Sequence, residues 1–305
     1  MFGPTAVGKS RVAVSVAGAL GGEIVSADSK QVYRGLPILT DQPSPEMLAS
    51  VPHHLVGVVP LDEEYSAARF SREAGAAITG IVRRGGVPLL VGGTGLYLRA
   101  LLGGFSFAGY GGDGSRGKWR DFIREEGVST AFSELERVDP VAAATIDRQN
   151  TRRVARALEA AEAVASGSGK PVSAERDRLW SADSPYRVVS FGLVTPRKDI
   201  YRLIEERVDR ILVSGAVEEV RAAREGHVSD TASQAIGFSE ISDYLDGRKA
   251  LEEVAASIKQ KSRHYAKRQL TWMRKMPDIV RIDLAGRTPA TAATTIIEHI
   301  HDASA

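Results

Sequence analysis

The sequence predicts an α/β protein, a parallel sheet flanked by helices, with an all-helical segment inserted into it. Three observations predict it. Short apolar runs alternate with helical patterns through the first hundred residues, the signature of strand–helix–strand units. A glycine-bearing turn, Gly3 to Ser10, opens directly into a helical pattern. From Trp119 to Val164 the pattern is helical and charged, with no good strand.

The elements follow in order. A helix is expected from Arg11 to Leu20. Glu23–Ala27 is β-like and ends at Asp28. Ala67 to Arg84 reads as a helix, with Phe70, Ala74, Ala77, Ile78 and Ile81 at helical spacing. Val87–Val91 is a near-continuous apolar run between glycines, which suits a strand buried on both faces. Gly103, Gly104, Gly109, Gly111, Gly112, Gly114 and Gly117 mark a loop-rich junction. Ser166-Gly167-Ser168-Gly169 ends the helical stretch. A strand is expected again at Tyr186–Val194, then a helix from Asp199 to Ser214, and Gln234 to Pro277 is mostly helical. The organisation expected is a core of residues 1–108 and 184–305 with a helical domain, 109–183, inserted. No internal repeat is visible.

Composition excludes several classes. The chain has 305 residues, and 40 Lys and Arg oppose 38 Asp and Glu for a net charge of +2. Hydrophobic content of 43% is ordinary for a globular protein, which argues against a disordered or fibrous chain. There is no Cys, so thiol nucleophiles, disulfides and cysteine metal sites are excluded. The longest run without a formal charge, Met47 to Leu61, is 15 residues, shorter than the roughly 18 apolar residues of a membrane helix. No signal peptide is recognised. A cytoplasmic protein without membrane contact is expected, working as a monomer.

Gly3-Pro4-Thr5-Ala6-Val7-Gly8-Lys9-Ser10 fits the phosphate-loop pattern G-x-x-x-x-G-K-[ST]. Glycines let backbone N–H groups curl around a phosphate chain, and the following helix turns its positive end toward the anion. Lys9 is placed to reach terminal phosphates and the Ser10 hydroxyl to ligate Mg²⁺. With Gly near 7% of residues, a chance match is about 1%. The fold class is therefore an α/β sheet of the P-loop NTPase type. Such a loop normally follows a central strand, yet only Met1 and Phe2 precede Gly3. Either the chain starts inside that strand or the sheet does without most of it.

P-loop kinases and NTPases place an Asp at the end of a second apolar strand. Here that run enters Gly92-Gly93-Thr94-Gly95-Leu96-Tyr97 with no acid. The acid is Asp28, in Asp28-Ser29-Lys30-Gln31-Val32-Tyr33-Arg34. A carboxylate at the carboxyl end of a parallel strand sits where α/β sheets bind ligands, able to accept a proton from a nucleophile. Alone, Asp28 would read better as a turn or cap acid.

Seven blocks then align with one family in order: Gly3–Ser10, Asp28–Gly35, Pro52-His53-His54-Leu55, Gly92–Leu98, Arg152-Arg153 with Arg156-Ala157-Leu158-Glu159, Ala235-Ile236-Gly237-Phe238, and Lys267-Arg268-Gln269-Leu270-Thr271-Trp272. On them the chain resembles the tRNA dimethylallyltransferases (tRNA isopentenyltransferases), over nearly its whole length. The resemblance implies transfer of a dimethylallyl group from dimethylallyl diphosphate to the exocyclic amine of the adenosine 3′ of the anticodon. Diphosphate is released and ATP is not consumed, in keeping with the missing second acid. It implies that Gly3, Pro4, Thr5, Ala6, Val7, Gly8, Lys9 and Ser10, with Arg207, hold the diphosphate and its Mg²⁺. Asp28 resembles the family's general base, and Thr94 the threonine that donates to the leaving oxygen. Ser29 and Gln31, with Lys30 between them, resemble partners of a flipped-out base. For Arg207 a salt bridge with Glu205 or Asp209 is the competing reading.

RNA contact must be local at a net charge this small. Between Val254 and Pro277 stand seven Lys or Arg and no acid. Lys259, Arg263 and Lys267 repeat at i, i+4 as one basic stripe, and Lys267, Arg268 and Arg274 are the candidates for phosphate contact. Arg148, Arg152, Arg153 and Arg156 form a second cluster. The resemblance assigns Arg152, Arg153 and Arg156 to the anticodon loop, the insertion to its stem, and adds Arg116. His53 and His54 resemble a structural pair. Lys30, Leu39 and Ser239 stand where the family usually has Met, Gly and a basic residue, departures that bear on substrate preference rather than reaction class. Three rivals remain at this level. A P-loop small-molecule kinase requires the absent acid. An enzyme prenylating free adenine nucleotides has no use for two basic clusters. A non-enzymatic RNA-binding protein predicts damage at Lys9, Ser10, Asp28 or Thr94, and all four are intact.

Overall fold

The structure, a computed structural model, describes residues 1–103, 115–167, 184–276 and 278–303. The chain divides into two compact units, one of residues 1–101 with 186–305 and one of residues 102–185.

The first unit is built on parallel strands. β1 (Gly22–Ala27) pairs with β2 (His53–His54) on one side and β3 (Val87–Gly92) on the other. β4 (Ser190–Val194) pairs in parallel with β5 (Ile279–Asp283). Phe2 joins the two sheets, bridging in parallel to Gly92 and to Gly192. Its N–H donates to the Phe191 carbonyl at 2.8 Å and its carbonyl accepts the Leu193 N–H at 2.8 Å. Two residues thus occupy the central position that leads into the phosphate loop.

α1 (Lys9–Leu20) and α13 (Pro289–Asp302) pack together against this sheet. Val12, Ala13, Val16 and Ala17 of α1 meet Ile24, Leu89, Phe191, Leu193 and Ile282, with Ala292, Ala293 and Ile296 of α13. α3 (Ala67–Arg83) packs on β1 and β3 and buries Phe70, Ala74, Ile78 and Ile81. Ser66 starts it, its hydroxyl accepting the Arg69 N–H at 3.2 Å, as an N-cap should. β3 differs from expectation at its start. Val87 is 40% exposed and Pro88 half-exposed, and burial begins at Leu89 and continues at Val91 and Gly92. The strand expected from Tyr186 is shorter for a related reason: Val188 and Val189 are exposed, and pairing begins at Ser190.

A second core lies among helices of the same unit. α8 (Arg197–Val213) contributes Ile200, Ile204, Val208 and Ile211 along one face, α9 (Ala216–Ala223) Val217 and Val220, α11 (Phe238–Leu245) Phe238 and Ile241, and α12 (Leu251–Arg274) Val254, Ile258 and Ala266. Leu36 and Leu39 join them. Leu39 is fully buried, its δ-methyl filling the space at Gly237. The short α2 (Pro45–Ser50), α4 (Gly95–Leu102) and α10 (Asp230–Ser233) complete the connections.

In the second unit the described helices are α5 (Ser115–Val138), broken at Gly127, α6 (Pro140–Ala143) and α7 (Thr151–Ala165). They share a core of Ala131, Phe132, Leu135, Ala142, Val154, Ala157 and Leu158. Most of the glycine-rich junction and Pro277 lie outside the described residues.

Candidate active site

The phosphate loop turns because of its backbone. Gly3 passes so close to β4 that a Cβ there would stand 2.9 Å from the Leu193 carbonyl oxygen. Ala6 takes a φ of 66° and Gly8 a φ of 93°, the left-handed region that glycine enters freely and alanine does not. Gly8 caps α1 without a side-chain hydrogen bond, and the first turn holds no acid. The positive end of the helix is therefore uncompensated and available to an anion.

Lys9 lies across this loop, its Nζ donating to the Pro4 carbonyl at 2.8 Å. Burial pushes its ammonium down from 10.5 to about 8; nearby Arg207 adds to the fall, and Asp28 and Asp41 oppose it. Arg207, from α8, donates from Nη1 to the Thr5 hydroxyl and lies 3.2 Å from Asp41 through Nε. Arg210 reaches the other Asp41 oxygen at 3.2 Å. Glu205 and Asp209, the competing partners considered for Arg207, pair instead with Arg263 at 3.1 Å and Lys259 at 2.6 Å. The Ser10 hydroxyl lines the cavity and has no hydrogen bond among the described residues.

Asp28 follows β1 directly. Its Oδ1 accepts the N–H groups of Lys30 at 2.9 Å and Gln31 at 3.3 Å, so it is the turn acid that isolated reading favoured. One oxygen of the carboxylate does this, and Asp28 also lines the cavity beside the loop. β3 ends against the same turn. A Cβ on Gly92 would fall 2.2 Å from the Ala27 carbonyl oxygen, so only glycine permits the approach. Thr94 is thereby locked next to Asp28: its N–H donates to Ala27 at 3.2 Å, and its Oγ1 accepts the Ser29 N–H at 3.1 Å. The same hydroxyl is also within hydrogen-bond reach of the Tyr265 phenol, and a hydroxyl that accepts can still donate one hydrogen bond.

A cavity of about 810 Å³ gathers Thr5 to Ser10, Asp28, Lys30, Gln31, Asp41, Arg207, Tyr265 and Gln269. Lys30 directs its ammonium to the Thr231 carbonyl at 2.6 Å. The Gln31 amide donates to the carbonyls of Asp41 at 2.7 Å and Thr40 at 3.3 Å. Both side chains thus brace the loop walls. Tyr265 is half-buried here, and its desolvation, reinforced by the Asp28 charge, pushes its phenol up. It stays protonated and a donor.

The basic residues sort differently from the stripe the spacing suggests. Lys259 and Arg263 are tied to α8, and Lys261 pairs with buried Glu240. Lys267, Arg268 and Arg274 are exposed on α12, Arg268 over the Tyr265 ring at 5.6 Å. Arg152, Arg153 and Arg156 are all exposed at the start of α7. Arg148 stacks on Phe132 at 5.6 Å. The Arg116 side chain lies outside the described residues. His53 bonds the Val51 carbonyl at 2.9 Å and His54 bonds Glu23 at 2.6 Å.

Sequence reading missed Asp41, Tyr265 and Gln269. Gln269 lies inside the Lys267–Trp272 block that carries the family resemblance, where only the basic residues are given a role. Asp41 carried no signal at all, because its partners come from α8, far along the chain.

A parallel sheet, a phosphate loop at its centre and an acid on the neighbouring strand define a P-loop protein of the α/β class. The IPP transferase family model matches residues 31–276. The chain belongs to that family. It is 45% identical over 279 residues to the tRNA dimethylallyltransferase of Geobacter sulfurreducens, covering 91% of this chain and 88% of that one. It is 41% identical over 286 residues to that of Geobacillus kaustophilus, covering 93% and 89%. Among solved structures, the tRNA isopentenylpyrophosphate transferase of Bacillus halodurans aligns over 99% of this chain and 94% of its own, with a TM-score of 0.72 and 37% identity. A eukaryotic dimethylallyltransferase acting on tRNA aligns over 92% and 72%, with a TM-score of 0.76 and 28% identity.

Proposed function

We propose that this protein transfers the dimethylallyl group of dimethylallyl diphosphate to the exocyclic amine of the adenosine 3′-adjacent to the anticodon of tRNA, releasing diphosphate. The observation that carries the reading is one cavity holding both a phosphate loop and Asp28, with no acid at the end of β3. Such a site suits an anion that leaves and a nucleophile that loses a proton, without an NTPase's carboxylate on the second strand.

The steps follow from the residues. The allylic C–O bond breaks and its electron pair moves to the bridging oxygen of diphosphate. Loop N–H groups, Lys9 and Arg207 stabilise the growing charge. Thr94 donates a hydrogen bond from its hydroxyl to that oxygen. The adenine amine is a poor nucleophile because its lone pair is delocalised into the ring. It forms the new C–N bond as Asp28 accepts one of its protons. Magnesium suits the donor set: the Ser10 hydroxyl, an oxygen donor beside the loop, would hold the ion. The ion would add positive charge against the diphosphate.

RNA contact is assigned to the exposed Arg152, Arg153 and Arg156 of the inserted unit and to Lys267, Arg268 and Arg274 of α12, with Arg116 added by the family resemblance. Ser29, Lys30 and Gln31 form the wall toward the flipped base. The setting is the cytoplasm, where tRNA is modified; among the described residues no helix is long and apolar enough to cross a membrane. Mass analysis of nucleosides from unmodified tRNA, incubated with enzyme, Mg²⁺ and dimethylallyl diphosphate, tests the reading. One prenylated adenosine per tRNA is expected, and unmodified nucleosides throughout would reject it.

A further inference from the structure

Gln269 of α12 is 3% exposed. A buried amide must satisfy a donor and an acceptor. Its Oε1 accepts the Thr5 N–H at 2.8 Å, and its Nε2 donates to the Gly93 carbonyl at 3.0 Å. The orientation is forced, since a backbone N–H can only donate and a carbonyl can only accept. One side chain therefore ties the phosphate loop to the turn that carries Thr94.

The turn is shaped to receive it. A Cβ on Gly93 would stand 2.0 Å from Nε2 of Gln269, and one on Gly95 would stand 2.5 Å from the Trp272 ring. Two glycines of the Gly92–Leu98 block thus make room for α12. One turn earlier on the same helix, the Tyr265 hydroxyl also points at the Gly93 carbonyl, at 3.5 Å. Thr5 in turn holds Arg207 through its hydroxyl, and Thr94 holds the Ser29 N–H next to Asp28. The chain of contacts runs from the anion-binding loop to the general-base turn, and Gln269 is its middle link.

We propose that Gln269 is a positioning residue that fixes the distance between the phosphate loop and the Thr94–Asp28 turn, with Tyr265 as a lesser brace on the turn alone. This rests on the functional reading above in taking diphosphate as the ligand of the loop. Misplacement of reacting groups by as little as ~1 Å costs on the order of a hundredfold in rate, so a rigid tether between the two loops affects both binding and turnover. It also gives the Lys267–Trp272 block two jobs: Lys267 and Arg268 face outward, Gln269 and Trp272 inward.

The test compares the full-length wild type with Gln269→Leu and Tyr265→Phe. Affinity for inorganic diphosphate with Mg²⁺ is measured by calorimetry, amide exchange at Thr5 by NMR, RNA affinity by filter binding, and steady-state transfer with dimethylallyl diphosphate. For Gln269→Leu, about tenfold weaker diphosphate binding and at least roughly tenfold faster Thr5 exchange are expected, the scale of an unmade buried hydrogen bond. Its RNA affinity stays within about twofold, which general unfolding would not allow. Tyr265→Phe, which keeps the packing, lowers kcat about threefold with the donor KM unchanged, because the hydroxyl it removes bonds the turn and not the phosphate loop. Wild-type diphosphate affinity and wild-type Thr5 exchange in Gln269→Leu would overturn the proposal. A wild type that binds diphosphate but prenylates no RNA would reject the functional reading and leave the Gln269 comparison intact.

Discussion

Lys9 is the residue on which pH dependence turns. Its folded pKa, about 8, lies below its ordinary 10.5. The unfolded chain therefore binds more protons between those values, and Lys9 makes the free protein more stable as pH rises from about 8 toward 10.5. A bound anion reverses the preference, since it favours the charged ammonium. Affinity for dimethylallyl diphosphate is accordingly expected to fall as pH rises through about 8. Calorimetry from pH 6.5 to 9.5 checks this, and a flat profile would remove Lys9 from the anion site. Lys9→Ala should lose most donor affinity, at least about a hundredfold, given the loss of a charge-assisted contact to the anion. Asp28→Ala should bind RNA as the wild type does while turnover falls by about 10² to 10⁴. Near-normal turnover would deny it the role of base.

At the scale of elements, α7 and α12 carry separate predictions. Replacing Arg152, Arg153 and Arg156 together by Ala should weaken RNA binding and reduce the salt dependence by about two log units per log unit of salt, at ~0.7 to 0.9 per phosphate contact. Replacing Lys259 should barely alter the RNA term, because its charge is held by Asp209. Equal effects from both would contradict the sorting of free from paired cations.

These elements also show what the sequence could reveal. The loop Gly3–Ser10 was legible because its residues make one local turn and its chemistry lies in their spacing. The helices at Ala67 and Asp199 were legible because single apolar faces are periodic. The stripe of Lys259, Arg263 and Lys267 misled because helical spacing says which residues share a face, not what that face meets. Gln269 was invisible for the same reason: its partners, Thr5 and Gly93, lie 264 and 176 residues away. β5 and α13 went unread because Ile279–Asp283 is five residues of mixed character, and pairing with β4 makes it a strand.

Across the whole molecule, the two units have separate cores, and damage should stay local. Leu158 is 1% exposed in the helical unit. Leu158→Ala should destabilise that unit by about 2 to 5 kcal/mol. Hydrogen exchange across residues 128–165 should rise while diphosphate affinity at the loop stays as in the wild type. A matching loss of diphosphate binding would show that the units do not fold independently.

Whether the P-loop holds a leaving diphosphate for an RNA acceptor is decided by supplying labelled dimethylallyl diphosphate with Mg²⁺ to unmodified tRNA and, in parallel, to AMP. Label in tRNA alone, abolished by Lys9→Ala and by Asp28→Ala, is the predicted result. Label in AMP, or none in either from a folded sample that binds diphosphate, would contradict it.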